Sequence, residues 1–315
     1  MSKAWCAVVA VVLAVPGAAF GQAAPLEDGG GRPPSADASP DAMAEVSDTD
    51  ASGARRDRAP ASGPVNPSRP TYTDNARFVA PGHLELEAGY EIDVVQCPEP
   101  DGTIVVIDGE LESSCNLQRM DVLLKYAHND HIEARIGWGV FGTQATPLDE
   151  TVSGVGDVFV QGKFGLGVFD DPGRHQLAIL GSLQPGVGQA PIGTDGLTIE
   201  AFGVYGFTPG TIAIDAQAGL SLGGLGDDTS VRLPLSAVVG YAPIDTVSVF
   251  GEVVETLTFD DLNNSETSLL IGAAFVPTSR LGLDLAGGVG LSETLPDAIL
   301  RLGVTVQLGA VRPMQ

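Results

Sequence analysis

Four stretches of this 315-residue chain carry residue types and spacings that chemistry uses. Gly219-Leu220-Ser221-Leu222-Gly223 has the spacing of a nucleophile elbow. That device sets a serine on a sharp strand-to-helix turn and needs a histidine after it in chain order. No helical pattern follows Gly223 and the last histidine is His175, so no catalytic set is assigned and no enzyme is expected. Gly137-Trp138-Gly139-Val140-Phe141-Gly142 spells a dinucleotide fingerprint, but such glycines must open a helix. Here they lie inside an alternating run that leads into Thr146-Pro147. His128, Asp130 and His131 could ligate a metal, yet they flank a tight turn and read as solvated. Asp260, Asp261, Asn263 and Asn264 read as a polar outer loop. No metal and no cofactor is expected.

A charge pattern outlasts these motifs. Glu85, Glu87, Glu91, Asp93, Asp121, Glu133, Asp157, Glu200, Asp215, Glu252 and Asp284 share the polar parity of their runs with Arg119, Lys125, Arg135, Lys163, Arg232 and Arg301. On a lipid-facing surface each charge would cost up to ~2–4 kcal/mol near the bilayer midplane, whereas in a lumen it is solvated or paired. These residues are therefore expected to line a lumen. The acid excess favours cations if that lumen conducts; the other reading is salt-bridge packing that fills the interior. Leu123, Phe159, Leu180, Phe202, Phe250, Val254 and Leu270 also fall on inward parity. They either narrow the lumen or mark slips of parity at bulges.

The elements that position these residues are strands. Leu84, Leu86, Ala88, Tyr90, Ile92 and Val94 alternate with Glu85, Glu87, Gly89, Glu91 and Asp93, and this period of two recurs to Gly309. Runs starting near His83, Leu117, His131, Gly156, His175, Leu197, Thr211, Ser230, Thr246, Thr267, Leu281 and Ala298 give about twelve strands. Short connections (Asn129-Asp130, 170–173, Pro209-Gly210, 243–245, 277–279) alternate with longer polar ones. All short turns then fall on one rim, the asymmetry of outer-membrane barrels. Tyr126, Phe207, Tyr241 and Phe275 precede short turns on the apolar parity and form a partial belt at a lipid–water boundary. The fold class is all-β: an antiparallel up-and-down transmembrane β-barrel of about twelve strands.

Composition agrees. The net formal charge of −24 argues against nucleic acid, which needs a basic face. The 41 glycines weaken any helical bundle. Past the first twenty positions no run of about 18 apolar residues occurs, so a membrane span there must be a barrel. Lys3, the apolar Ala4–Val15 and Ala19-Phe20-Gly21 read as an export signal over residues 1–21. Residues 22–76, rich in Pro, Ala and Asp, read as a disordered periplasmic tail, and 77–315 as the barrel. Cys97 and Cys115 form an even pair in an exported chain; a disulfide is favoured over two free thiols.

Ser68-Arg69-Pro70-Thr71-Tyr72-Thr73-Asp74, followed by Val79-Ala80-Pro81-Gly82-His83-Leu84-Glu85-Leu86-Glu87-Ala88-Gly89-Tyr90, resembles the entry segment of an outer-membrane family labelled as meta-pathway phenol-degradation transporters. Leu123-Leu124-Lys125-Tyr126, Ile132-Glu133-Ala134-Arg135-Ile136-Gly137, Gly154-Val155-Gly156-Asp157 and the turns at Tyr241-Ala242-Pro243 and Phe275-Val276-Pro277-Thr278 are similar too. The resemblance runs from Arg69 to Gly309 and implies a barrel proposed to pass small compounds, aromatic ones among them. It departs at the end: Arg312-Pro313-Met314-Gln315 replaces the usual terminal aromatic, so an internal signal would have to serve the outer-membrane assembly machinery. The expected partners are the lipid bilayer, lipopolysaccharide, that machinery and an unidentified small solute. The expected location is the outer membrane with both termini in the periplasm. The leading function is passive passage of small solutes; the alternative is a non-conducting structural or adhesion barrel whose outer loops bind.

Overall fold

The computed structural model describes residues 71–96, 106–107, 110–111, 114–145, 151–169, 174–189, 192–194, 196–225, 229–259, 265–292 and 295–311. The export signal, residues 22–70, the Cys97–Cys115 pairing and the 260–264 loop lie outside them.

The described residues form fifteen strands: β1 (His83–Gln96), β2 (Val106–Ile107), β3 (Glu110–Leu111), β4 (Ser114–Asn129), β5 (Ile132–Ala145), β6 (Thr151–Gly154), β7 (Val158–Phe169), β8 (His175–Gln184), β9 (Leu197–Phe207), β10 (Ile212–Leu225), β11 (Ser230–Ile244), β12 (Val247–Thr258), β13 (Glu266–Thr278), β14 (Leu281–Gly290) and β15 (Ala298–Ala310). The hairpin β2–β3 stands apart, and β6 extends the wall beside the end of β5. The other twelve pair antiparallel with their neighbours, and β1 closes the ring by pairing with both β15 and β4. Closure leaves no free edge in the ring, which a strand-built membrane span requires. Among the described residues there is no helix.

Each of the twelve expected runs begins within three residues of an observed barrel strand. The tight connections after β4, β9, β11 and β13 share one rim with the start of β1 and the end of β15. Ile271, Phe275, Tyr241, Leu302 and Ile136 are exposed on the outer face, while Glu87, Lys163 and Thr305 are completely buried inside. At the short-turn rim His175 stacks on Phe207 with centroids 4.3 Å apart, and its Nδ1 lies 2.7 Å from the Tyr205 hydroxyl. This cluster extends the aromatic belt beyond the four expected rings.

Parity does not slip at the inward apolar positions. Phe159, Phe202 and Phe250 stand directly opposite Gly137, Gly219 and Gly272 in register. A Cβ at any of the three glycines would fall within 2.3 Å of the facing ring. Each phenylalanine therefore lies flat on a glycine floor, and an alanine there would displace the ring. The register shifts lie elsewhere, for example between Met120 and Asp121 and between Gly165 and Gly167.

Candidate functional site: a lumen occupied by the segment before the first strand

Residues 71–82 run inside the barrel. Composition assigns 71–76 to the tail, yet Thr73, Asp74 and Ala76 are buried there. The path begins at the short-turn rim, where the Gly82 amide donates to the Ala127 carbonyl at 2.7 Å and the Val311 amide donates to the Gly82 carbonyl at 2.6 Å. The Val79 amide donates to Glu133 at 2.8 Å. Deeper, Asp74 meets Arg135 and Lys163, and its amide donates to Gln217 at 2.9 Å. Deeper still, the Thr73 amide and hydroxyl both donate to Glu252 Oε1 at 2.6 Å, and the Tyr72 amide donates to its Oε2 at 3.0 Å. The Tyr72 ring lies 3.5 Å from the Arg301 guanidinium carbon, a cation–π stack.

Most of the seventeen charged residues expected in the lumen meet around this segment. Lys125 sits between Glu87 and Glu85, the latter at 3.2 Å, and none of the three side chains is more than 2% exposed. Arg135 Nε donates to Glu133 at 2.7 Å, and Lys163 Nζ reaches Asp74 at 3.2 Å as well as the Asn75 and Arg77 carbonyls. Glu91 receives both Arg119 and Arg301, and Arg119 also lies 3.6 Å from Asp93. Glu252 and Asp284 are buried; Asp121, Glu200 and Asp215 are half-buried, and Arg232 is exposed near the loop-bearing rim. Asp157 is buried too, in the segment between β6 and β7.

The register explains how this wall is assembled. Residues facing each other across an antiparallel ladder point to the same side of the sheet. Across successive strands Asp284, Gly303, Gly89, Asp121 and Gly139 stand in one row, and Arg301, Glu91 and Arg119 form the row two residues nearer the long loops. The glycines make the lower row a trough: a Cβ at Gly303 would fall 2.2 Å from the Asp284 carboxylate. Both rows open onto a cavity of about 420 Å³ on the loop side of Tyr72. Glu91, Asp121, Asp157 and Asp284 face it against Arg119 and Arg301, with Phe159 and Ile192 supplying apolar surface.

Sequence reasoning missed the segment itself, the first half of which precedes the expected barrel boundary. Its composition held a usable signal: prolines thin out after Pro70, and Asp74, Arg77 and Phe78 bring in charge and an aromatic. The other motifs resolve into strand. Ser221 is buried on β10 opposite Glu200, the 137–142 glycines lie within β5, and the exposed His128 and His131 flank the β4–β5 turn. Among the described residues no group of three His, Cys, Asp or Glu is placed to hold a metal.

No family model and no curated protein matches the chain, so the phenol-pathway resemblance rests on the motifs quoted above. Solved structures do match. The COG4313 outer membrane channel from Pseudomonas putida F1 aligns with a TM-score of 0.55 at 15% identity, over 78% of this chain and 100% of its own. The NanC porin (TM-score 0.48, 11% identity, 71% of this chain and 100% of its own) and the KdgM porin (0.46, 8%, 71% and 99%) are more distant and carry no weight below. The chain therefore shares the fold of an outer membrane channel.

Proposed function

We propose that this protein is an outer-membrane barrel that passes small solutes along a narrow route between residues 71–82 and the inner wall, with a preference for cations. The observation that carries the reading is the loop-side cavity, where four carboxylates outnumber two guanidiniums inside a closed barrel. Such an excess attracts cations where the surroundings have a low dielectric. The Phe159 and Tyr72 rings give the cavity an aromatic side, which suits small aromatic solutes bearing a positive charge. The short-turn rim, with the end of β15, faces the periplasm, and the exposed apolar outer face sits in lipid below the lipopolysaccharide.

The test is planar-bilayer recording of the full barrel in a potassium chloride gradient. A reversal potential of the sign for potassium permeation supports the proposal. A barrel that inserts but stays closed under every voltage and salt condition removes it. One observation favours the second reading, a non-conducting barrel whose loops bind: the segment and its fully buried ion pairs occupy the short-turn half of the lumen. Deletion of the gene separates the two, since loss of surface binding with unchanged solute uptake fits only the second.

A further inference from the structure

The described residues of the β8–β9 connection, 185–189, 192–194 and 196, turn into the mouth of the barrel. Its ends pinch together, for a Cβ at Gly186 (φ +56°) would fall 2.1 Å from the Gly196 carbonyl oxygen. Inside the pinch a tight turn forms, with the Ile192 and Gly193 amides donating to the Gln189 carbonyl at 2.9 and 2.7 Å. The turn lies against the wall through glycines: a Cβ at Gly188 would be 2.8 Å from the Gly156 carbonyl carbon, and one at Gly193 would be 2.5 Å from Gly188. The Gln189 amide donates to the Val155 carbonyl at 2.8 Å. Ile192 covers the space above Gly142, and with Thr194 it borders the cavity opposite Tyr72.

One side chain ties this turn down. Asp157 Oδ1 accepts the Gly188 amide at 2.6 Å. Its Oδ2 accepts the Thr194 amide at 2.6 Å, the Thr194 hydroxyl at 2.8 Å and the Gln184 side-chain amide at 3.1 Å. Both oxygens are thus committed to the loop. Asparagine offers a single carbonyl oxygen, so it cannot accept both backbone amides in this geometry without leaving one donor facing an NH2 group.

We propose that Asp157 is a specificity-determining residue of the passage: by clasping Gly188 and Thr194 it holds Ile192 and Thr194 over the loop-side cavity and sets the largest solute that enters. The inference rests on the passage reading above, and its test separates the two. In a Cys97→Ser, Cys115→Ser background, Thr71→Cys places a thiol on the cavity wall, and maleimides of increasing size report the aperture in the folded, heat-modifiable barrel. With Asp157 intact, small maleimides react and large ones are excluded. In Asp157→Ala the large reagents react about tenfold faster or more, because losing even one hydrogen bond to a charged group shifts an open–closed balance by that order. Should Asp157→Ala not fold, Thr194→Val and Gln184→Leu, which each remove one bond to Asp157 and the bond between Gln184 and Thr194, carry the same comparison with a smaller gain. Equal exclusion of large reagents in folded Asp157→Ala, or in both milder variants, overturns the clasp. Bilayer recording runs alongside. A barrel that conducts with an unchanged solute cut-off in Asp157→Ala loses the clasp alone. A barrel that never conducts, while Asp157→Ala opens to large maleimides, loses the passage reading and keeps the clasp.

Discussion

The two sides of the lumen hold the same stretch of chain by different physics. The wall made by β1, β4, β5, β7 and β15 is ionic, with Glu85, Glu87, Glu91, Asp93, Arg119, Lys125, Glu133, Arg135, Lys163 and Arg301 pairing with one another and with Asp74. The wall made by β8 to β13 carries fewer charges. There Ala76 and Phe78 pack on Ala178, Leu180, Phe202 and Val204, while Glu252 and Gln217 take backbone amides of the segment. Ion pairs out of water stand only when every partner is present, because an orphaned buried charge costs far more than the pair contributes. Apolar contact degrades gradually as atoms are removed. The ionic wall should therefore fail abruptly and the neutral wall by degrees.

That contrast can be broken most sharply at Asp74. Asp74→Ala leaves Arg135 and Lys163 facing each other without their shared carboxylate, and about 3–5 kcal/mol of stability should go. Urea unfolding in lipid vesicles measures the loss, and new proteolysis after Arg77 would show the segment leaving the lumen. Leu180→Ala on the opposite wall should cost about 2–3 kcal/mol, the low end for a buried leucine, because Ala76 and Phe78 belong to a segment able to shift toward the gap. A loss as abrupt as that at Asp74 would erase the distinction between the walls. Glu252→Gln keeps the shape but turns charge-assisted bonds to Thr73 into neutral ones, and should cost about 1–2 kcal/mol.

Acid sharpens the comparison at the loop rim. Burial alone would raise the Asp157 carboxyl, but the Thr194 and Gly188 amides, the Thr194 hydroxyl and Gln184 outweigh it and hold it below the usual aspartate value of 3.8. A depressed folded value means the clasp is fully formed above 3.8 and is lost as pH falls through that lower value. The ratio of large- to small-maleimide labelling at Thr71→Cys should therefore stay constant from pH 5 to 8. Opening between pH 5 and 7 would show that Asp157 is not what holds the turn. The smallest effect belongs to Arg232→Ala, exposed near the loops, which should stay within about 0.5 kcal/mol of wild type.

How much of this was legible beforehand differs by element. Strand starts at His83, His175, Leu197, Ser230, Leu281 and Ala298 coincide with the sequence expectation, since a period of two fixes which side chains share a face whatever lies beyond. The start expected at Gly156 falls at Val158, because 155–157 bulges where the β8–β9 loop docks. Parity placed Asp157 among the lumen charges but did not reveal its bonds to Gly188 and Thr194, which lie more than thirty residues away. Thr71 to Ala76 were missed for a related reason: no repeat marks them, and their burial comes from partners on β5, β7, β8, β9, β10, β12 and β15.

Alternating side chains, with short and long connections sorted to opposite rims, pointed to a barrel of about twelve strands and to which residues share a face, because a strand's two faces are written in its own order. Which inward charges pair, and that a stretch before the first strand runs among them, was decided only when strands distant in sequence came into register. A carboxylate's partner depends on distance across the lumen, and that distance exists only in the closed ring.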